Sequence, residues 1–228
     1  MYCQIVFSHS SHGRLTHHDR DRFPNDTLFD RIGRTICGAE CLPRKELYEA
    51  WEVARRVRRL FRGGRVVDVG GGHGLLAQVM LLLDDTSPGA LVIDPALPPS
   101  AAKVHAALTA VWPRLAHRVV FVNEALEAAS LDTRDVVVSS HACGALTDRV
   151  LDRAVSAGAR VAVLPCCHDL DLSDAGPLSG WIDGPIAIDV MRAVRLQQRR
   201  YRVWTQTIPV EITPKNRLLI GAPLPEQG

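Results

Sequence analysis

The chain has 228 residues, 46% of them hydrophobic and 23% charged, enough for one domain of generous size around a single core. No run approaches the ~20 apolar residues of a membrane-spanning helix, and the first ten residues lack the basic start of a secretion signal. The net charge of +2 is too small to argue for nucleic acid by itself, and six unevenly spaced cysteines do not read as a disulfide framework. A cytoplasmic protein is expected.

Taken in order, residues 1–35 are polar and histidine-rich (His9, His12, His17, His18) and predict a loose arm with at most one short helix. Cys37 and Cys41 form a lone Cys-x3-Cys, a weak metal signal unless further ligands arrive from elsewhere. From Pro43 to Phe61 apolar residues recur at three- and four-residue steps (Leu47, Trp51, Ala54, Val57, Leu60), which predicts a helix that Gly63-Gly64 ends. Strands are then predicted at 66–70, 90–94, 118–122, 135–140 and 160–164, with helices at 74–83, 99–111, 146–156 and 184–199. Two last strands, about 202–210 and 216–221, are joined by a turn at Thr213-Pro214-Lys215-Asn216. Alternation of this kind builds a mostly parallel sheet with helices on both faces, and the closing pair adds an antiparallel hairpin at one edge. The division expected is an N-terminal arm or cap over 1–42 and one domain over 43–228.

Residues 65–74 read Arg-Val-Val-Asp-Val-Gly-Gly-Gly-His-Gly, a strand running into a glycine turn and then a helix. A dinucleotide fingerprint would need a glycine at 75, where Leu75 stands; the glycines fall instead at Gly70, Gly72 and Gly74, two residues after Asp68. This pattern resembles the first motif of class I S-adenosylmethionine (SAM) methyltransferases. SAM carries no pyrophosphate, and an acid at the strand end can hold its cationic amino group, directly or through water. The second strand ends in Asp94, placed to accept the two ribose hydroxyls of a nucleoside. The third ends Val122-Asn123-Glu124, where Glu124, or Asn123 after it, is the candidate for the adenine amino group. Ser139, at the end of the fourth strand, is a further cofactor-side candidate.

The fourth and fifth strand ends carry His141-Ala-Cys143-Gly144 and Pro165-Cys166-Cys167-His168. In open α/β sheets such ends share one rim, which would gather His141, Cys143, Cys166, Cys167 and His168. His-Ala-Cys-Gly-Ala-Leu-Thr-Asp (141–148) and Pro-Cys-Cys-His (165–168) resemble motifs of a methyltransferase group that includes the eukaryotic tRNA acceptor-stem 2′-O-methyltransferases. Leu42-Pro43-Arg44-Lys45 with Glu49, and Ile212 to Asn216, are similar to segments of the wider group, so the resemblance covers about residues 42–221. It implies SAM as cofactor, the class I Rossmann-like sheet and an RNA acceptor. The chain departs from the tRNA enzymes in its shorter length and in lacking their N-terminal zinc finger.

Three mechanisms compete. His141 or His168 acts as general base; Cys166 or Cys167 acts as a nucleophile toward a pyrimidine; or Cys143, Cys166, Cys167, His168 and the Cys37/Cys41 pair supply ligands for zinc. Small buried cysteines that merely pack the strand ends are the plain alternative. Asp148 starts a helix or orients His141, and Lys45, Asp148, Lys215 and Glu49 would suit ribose methylation if they converged. Arginines at 55–65 (Arg55, Arg56, Arg58, Arg59, Arg62, Arg65) and 192–202 (Arg192, Arg195, Arg199, Arg200, Arg202) make either a phosphate-binding face or two solvated helix faces. The expected function is SAM-dependent methyl transfer to RNA with a histidine base. Methylation of a small molecule or protein side chain, assisted by zinc or a thiol, is the alternative among enzymes. A SAM- or zinc-binding protein without catalysis is the alternative outside them.

Overall fold

The computed structural model describes residues 8–225; the residues before and after these, including most of the N-terminal stretch read for a signal, lie outside it. The element order is α1 (Leu28–Ala39), α2 (Arg44–Leu60), β1 (Val66–Val69), α3 (Leu75–Leu83), β2 (Ala90–Ile93), α4 (Ser100–Val111), β3 (Val119–Val122), β4 (Val136–Ser139), α5 (Ala145–Ser156), β5 (Arg160–Val163), α6 (Gly184–Gln198), β6 (Tyr201–Thr207) and β7 (Arg217–Pro223).

The strands form one seven-stranded sheet in the order β3-β2-β1-β4-β5-β7-β6. Strands β1 to β5 run parallel, β7 lies antiparallel to β5, and β6 pairs with β7 as the edge hairpin. The expected mostly parallel Rossmann-like sheet with its antiparallel C-terminal hairpin is therefore present. Short valine-rich runs (Val66–Val69, Val136–Val138) sit in its centre and are buried on both faces, as parallel strands must be. One core lies under α1 to α4 and includes Ile32, Val53, Met80 and Leu108; a second lies under α5 and α6 and includes Val150, Leu151 and Leu196.

Two segments differ from the expectation. The stretch expected as a loose arm over 1–35 is packed from residue 8 onward. Helix α1 is capped by Thr27, whose hydroxyl accepts from the Asp30 amide at 3.1 Å, and Leu15, Phe23, Ile32 and Ile36 are fully buried. The polar composition hid an apolar stripe spaced at helical intervals, which packs against α4. The β6–β7 connection is wider than a tight turn. Pro209 cannot donate to a ladder, so β6 stops at Thr207, and a nine-residue loop follows whose ends are clasped by Ile208 and Asn216 (2.9 Å each way). Buried Ile212 and Thr213 anchor this loop and carry Lys215 to the rim of the sheet.

Among the described residues no helix is long and apolar enough to cross a membrane.

Candidate active site

The order in which strands are added to the sheet reverses between the parallel neighbours β1 and β4, and the C-terminal ends of these strands open the crevice where α/β sheets bind ligands. A cleft of about 420 Å³ lies there, walled by Gly70–His73, Asp94, Ser140 and His141, with Glu46 and Ala50 of α2 closing one side. That volume falls in the range of small-molecule sites, roughly 300–1,000 Å³.

The glycine turn is built by backbone alone. Gly70, Gly72 and Gly74 all adopt positive φ, and a side chain at Gly74 would strike the Phe121 ring at 2.7 Å. Four of the turn's amides are donated within the protein: Gly70 and Gly71 to the Ile93 carbonyl (2.8 and 3.4 Å), Gly72 to Asp94 Oδ2 (3.0 Å) and Gly74 to the Gly71 carbonyl (2.7 Å). A turn that spends its N–H groups in this way is no cradle for a pyrophosphate.

Asp94 lines the cleft and braces its floor at once, with Oδ1 accepting from the Ala96 amide at 2.8 Å. Asp68 sits beneath the turn rather than on the cleft wall. It is 1% exposed, and its Oδ2 accepts from the Ala77 amide (3.2 Å), which would otherwise be an unpaired donor in the first turn of α3. Burial pushes its carboxyl up to about 7; the Ala77 N–H opposes the rise and the Asp94 charge adds to it. Ser139 is likewise fully buried and donates to the Val69 carbonyl at 2.6 Å, tying β4 to β1, while its neighbour Ser140 faces the cleft. Glu124 is exposed and outside the cleft lining. Asn123 is the residue turned toward this region, with its side-chain amide packed behind Asp94 against Pro95 and Leu97.

Sequence reasoning passed over His73 and Glu46. His73 Nδ1 faces Glu46 Oε2 at 3.0 Å and Nε2 faces Ser100 Oγ at 2.9 Å, so the ring staples the glycine turn to α2 and α4. The signal available was a histidine inside the glycine motif, one position before its last glycine.

Beside the cleft lies a second pocket of about 550 Å³, lined by His12, Lys45, Glu46, Glu49, His141, Cys166, Cys167 and the loop Ile212–Lys215. His141 and Glu46 line both spaces. Lys45 Nζ reaches Glu49 Oε1 at 3.2 Å, but Oε2 of the same carboxylate is buried with no hydrogen-bond partner. Burial raises the Glu49 pKa, against the lowering pull of Lys45 and of His141. Cys143, Cys166 and Cys167 meet at the mouth: Cys143 Sγ and Cys166 Sγ are 2.9 Å apart, and Lys215 Nζ lies 3.7 Å from Cys167 Sγ. The Cys166 thiol is pushed up, first by burial and then by its sulfur neighbours. For Cys167 burial pushes the thiol up, but hydrogen bonds from the other two thiols and the charge and hydrogen bond of Lys215 together outweigh it and leave the thiol lowered.

The remaining candidates lie elsewhere. His168 turns away from the cysteines, its side chain 4% exposed and Nε2 2.8 Å from Asp189 Oδ1. Asp189 also accepts from Arg192 (3.2 Å) and Arg217 (2.7 Å), and buried Arg192 pairs with Asp148 (2.7 Å) and donates to the Gly144 carbonyl (3.3 Å). His168 and Asp148 thus belong to a network under the two cysteine turns, and Asp148 does not join Lys45, Glu49 and Lys215. Cys37 is buried, and Cys41 donates toward the Ser100 carbonyl (3.9 Å), so neither reaches the other thiols. The arginine stretches are largely spent on carboxylates and carbonyls. Arg58 is buried against Asp84 (3.2 Å) and Ser87 (2.7 Å), Arg65 is paired with Asp135 (2.7 Å), and Arg195 with Asp152 (3.2 Å). Helices α2 and α6 also lie over different cores, which separates the arginines those helices carry, while Arg202 stacks on Trp204 beside Phe61.

Comparison with known proteins agrees with this architecture. No curated protein matches the chain in sequence. Among solved structures, an O-methyltransferase family protein from Burkholderia thailandensis is similar (17% identity, TM-score 0.53), over 93% of this chain and 64% of its own length. The S-adenosylmethionine-dependent methyltransferase SibL is similar at 19% identity and TM-score 0.50, over 92% of this chain and 66% of its own. A ribosomal protein L11 methylase from Lactobacillus delbrueckii subsp. bulgaricus matches at 13% identity and TM-score 0.50, over 77% of this chain and 76% of its own. At these identities the likeness is one of fold, and the chain spans less than two thirds of the length of the first of them. A sequence family described as "Methyltransferase domain" matches residues 45–172, more than half of the chain, and the protein belongs to that methyltransferase family.

Proposed function

We propose that this chain transfers a methyl group from SAM, held in the glycine cleft, to an acceptor seated in the neighbouring pocket, with His141 taking the acceptor's proton. One observation carries the reading: His141 lines both spaces, so a base there meets both the methyl donor and the incoming nucleophile. The cofactor assignment is supported by a turn that spends its amides internally, as a ligand without phosphates permits, and by a carboxylate, Asp94, at the ribose position. Asp68 fits as an electrostatic partner: its carboxyl, strained by burial, ionises more readily once a cationic ammonium lies above the turn. Glu49, buried beside the second pocket, steadies the imidazolium as it forms, and its free Oε2 accepts a hydrogen bond from the acceptor.

Methyl transfer is a direct displacement at a sulfonium carbon. The chain need only align nucleophile and methyl group, exclude water and accept one proton. For the acceptor we propose RNA, supported by the two Cys/His motifs and by Lys45, Lys215 and His12 around the pocket rather than by the arginine stretches. A small molecule is the second reading, favoured by a pocket large enough to take one whole. Incubation with methyl-labelled SAM and, separately, total RNA and a metabolite extract tests both. Label in RNA that is lost in His141→Ala is expected; label in neither fraction with SAM bound would contradict the reading.

A further inference from the structure

We propose that Cys143, Cys166 and Cys167 bind a zinc ion whose fourth position opens onto the acceptor pocket. The three sulfurs lie within 4.8 Å of one another. Bound tetrahedrally at about 2.3 Å, three thiolates stand about 3.8 Å apart, between the closest pair here, at 2.9 Å, and the span that contains all three. Soft thiolate sets of this kind select zinc over hard cations.

Cysteines kept only for packing are buried, yet Cys143 and Cys167 are exposed. Their turns are held rather than free: the Gly144 amide donates to the Cys167 carbonyl (3.3 Å) and the Leu164 amide to the Ser139 carbonyl (2.9 Å). Arg192 clamps the Gly144 carbonyl from below (3.3 Å). Two strand ends are thereby locked to each other with their sulfurs facing one point, a degree of preorganisation that a metal site requires. Three thiolates on a divalent ion leave one net negative charge, and the Lys215 ammonium 3.7 Å from Cys167 offsets it. Because Cys166 and Cys167 also line the second pocket, the open coordination position points where the acceptor sits, and water or the acceptor's donor atom completes the tetrahedron. Only this last role rests on the methyl-transfer reading; the metal site stands without it.

The full chain is purified under reducing conditions, exposed to zinc or to a chelator, dialysed, and its metal content measured. About one zinc per chain is expected, falling to about a tenth or less in Cys143→Ser/Cys166→Ser/Cys167→Ser and unchanged in Cys41→Ser. Cobalt(II) loaded in place of zinc should show thiolate-to-metal charge-transfer absorption in the natural chain. If the triple variant does not fold, that spectrum and Cys143→His, which keeps a ligand and should keep zinc, decide the matter. A natural chain without zinc, or a triple variant that retains it, overturns the proposal. SAM binding measured on the same samples separates the two claims: zinc without SAM binding sinks methyl transfer alone, and SAM binding without zinc sinks the metal site alone.

Discussion

The cleft and the pocket beside it are built on opposite plans. The glycine cleft is largely satisfied: four amides of its turn are paired, Asp94 accepts from Gly72 and Ala96, and His73 staples the turn to two helices. The neighbouring pocket is left open to a partner, with an orphaned carboxylate oxygen on Glu49 and three thiols crowded at its mouth. A cofactor site can be a rigid receptacle, because SAM and its demethylated product differ by a single methyl group. A site where bonds form keeps polar groups unpaired until the reacting molecule arrives, at a cost of about 1–3 kcal/mol for each buried group.

The strongest blow to this contrast is to remove the histidine that lines both spaces. His141→Ala should lower the methyl-transfer rate by roughly 10²–10⁴-fold and leave SAM affinity within about twofold, read by single-turnover kinetics and calorimetry. Equal loss of both would merge the two spaces into one. Next in size, Asp94→Ala should weaken SAM by about 100-fold, since hydrogen bonds to a charged group are worth ~1.5–3 kcal/mol, with the rate at saturating SAM nearly intact. Glu49→Gln should cost about tenfold in rate with SAM affinity unchanged, and the apo protein should melt no lower, because the substitution removes a buried charge with an unmet oxygen. A drop of several degrees would instead make Glu49 a structural residue.

The smallest effect is a pH dependence. Asp68 ionises at about 7 in the folded chain against an ordinary value of 3.8, so the unfolded chain loses its proton first. The stability this group confers is complete below about 4 and is lost as pH rises to about 7, the direction required when the native state holds the extra proton. Apo Asp68→Asn should therefore lose less in melting temperature between pH 5 and pH 8 than the natural chain, by a few degrees at roughly 2–4 °C per kcal/mol. Saturating SAM should shrink that difference, because an ammonium above the turn favours the carboxylate.

The same contrast explains what the sequence disclosed. Short valine runs, glycine breaks and 3.6-residue periodicity are local signals, so nearly every strand and helix from Pro43 onward was legible, as was the glycine turn with Asp94. The second pocket draws on residues from Ser10 to Lys215. Nothing local says that Lys45, Glu49 and Lys215 meet while Asp148 turns to Arg192. Nor could spacing show that His168, next to two cysteines, would leave them for Asp189, or that Ser139 would face β1 and Ser140 the cleft. Those outcomes follow from which side of a strand end faces a helix, and one residue of register reverses them. The N-terminal region misled for a related reason: its charge conceals the four apolar residues that bury it.

Titrating the purified chain with SAM in a calorimeter decides whether the cleft is a SAM site braced by Asp94. One molecule should bind per chain, with affinity reduced about 100-fold in Asp94→Ala, which stays folded but melts a few degrees lower because the Gly72 and Ala96 amides lose their acceptor. A folded natural chain that gives no heat with SAM, or a variant that binds it as well as the natural chain, would contradict that assignment.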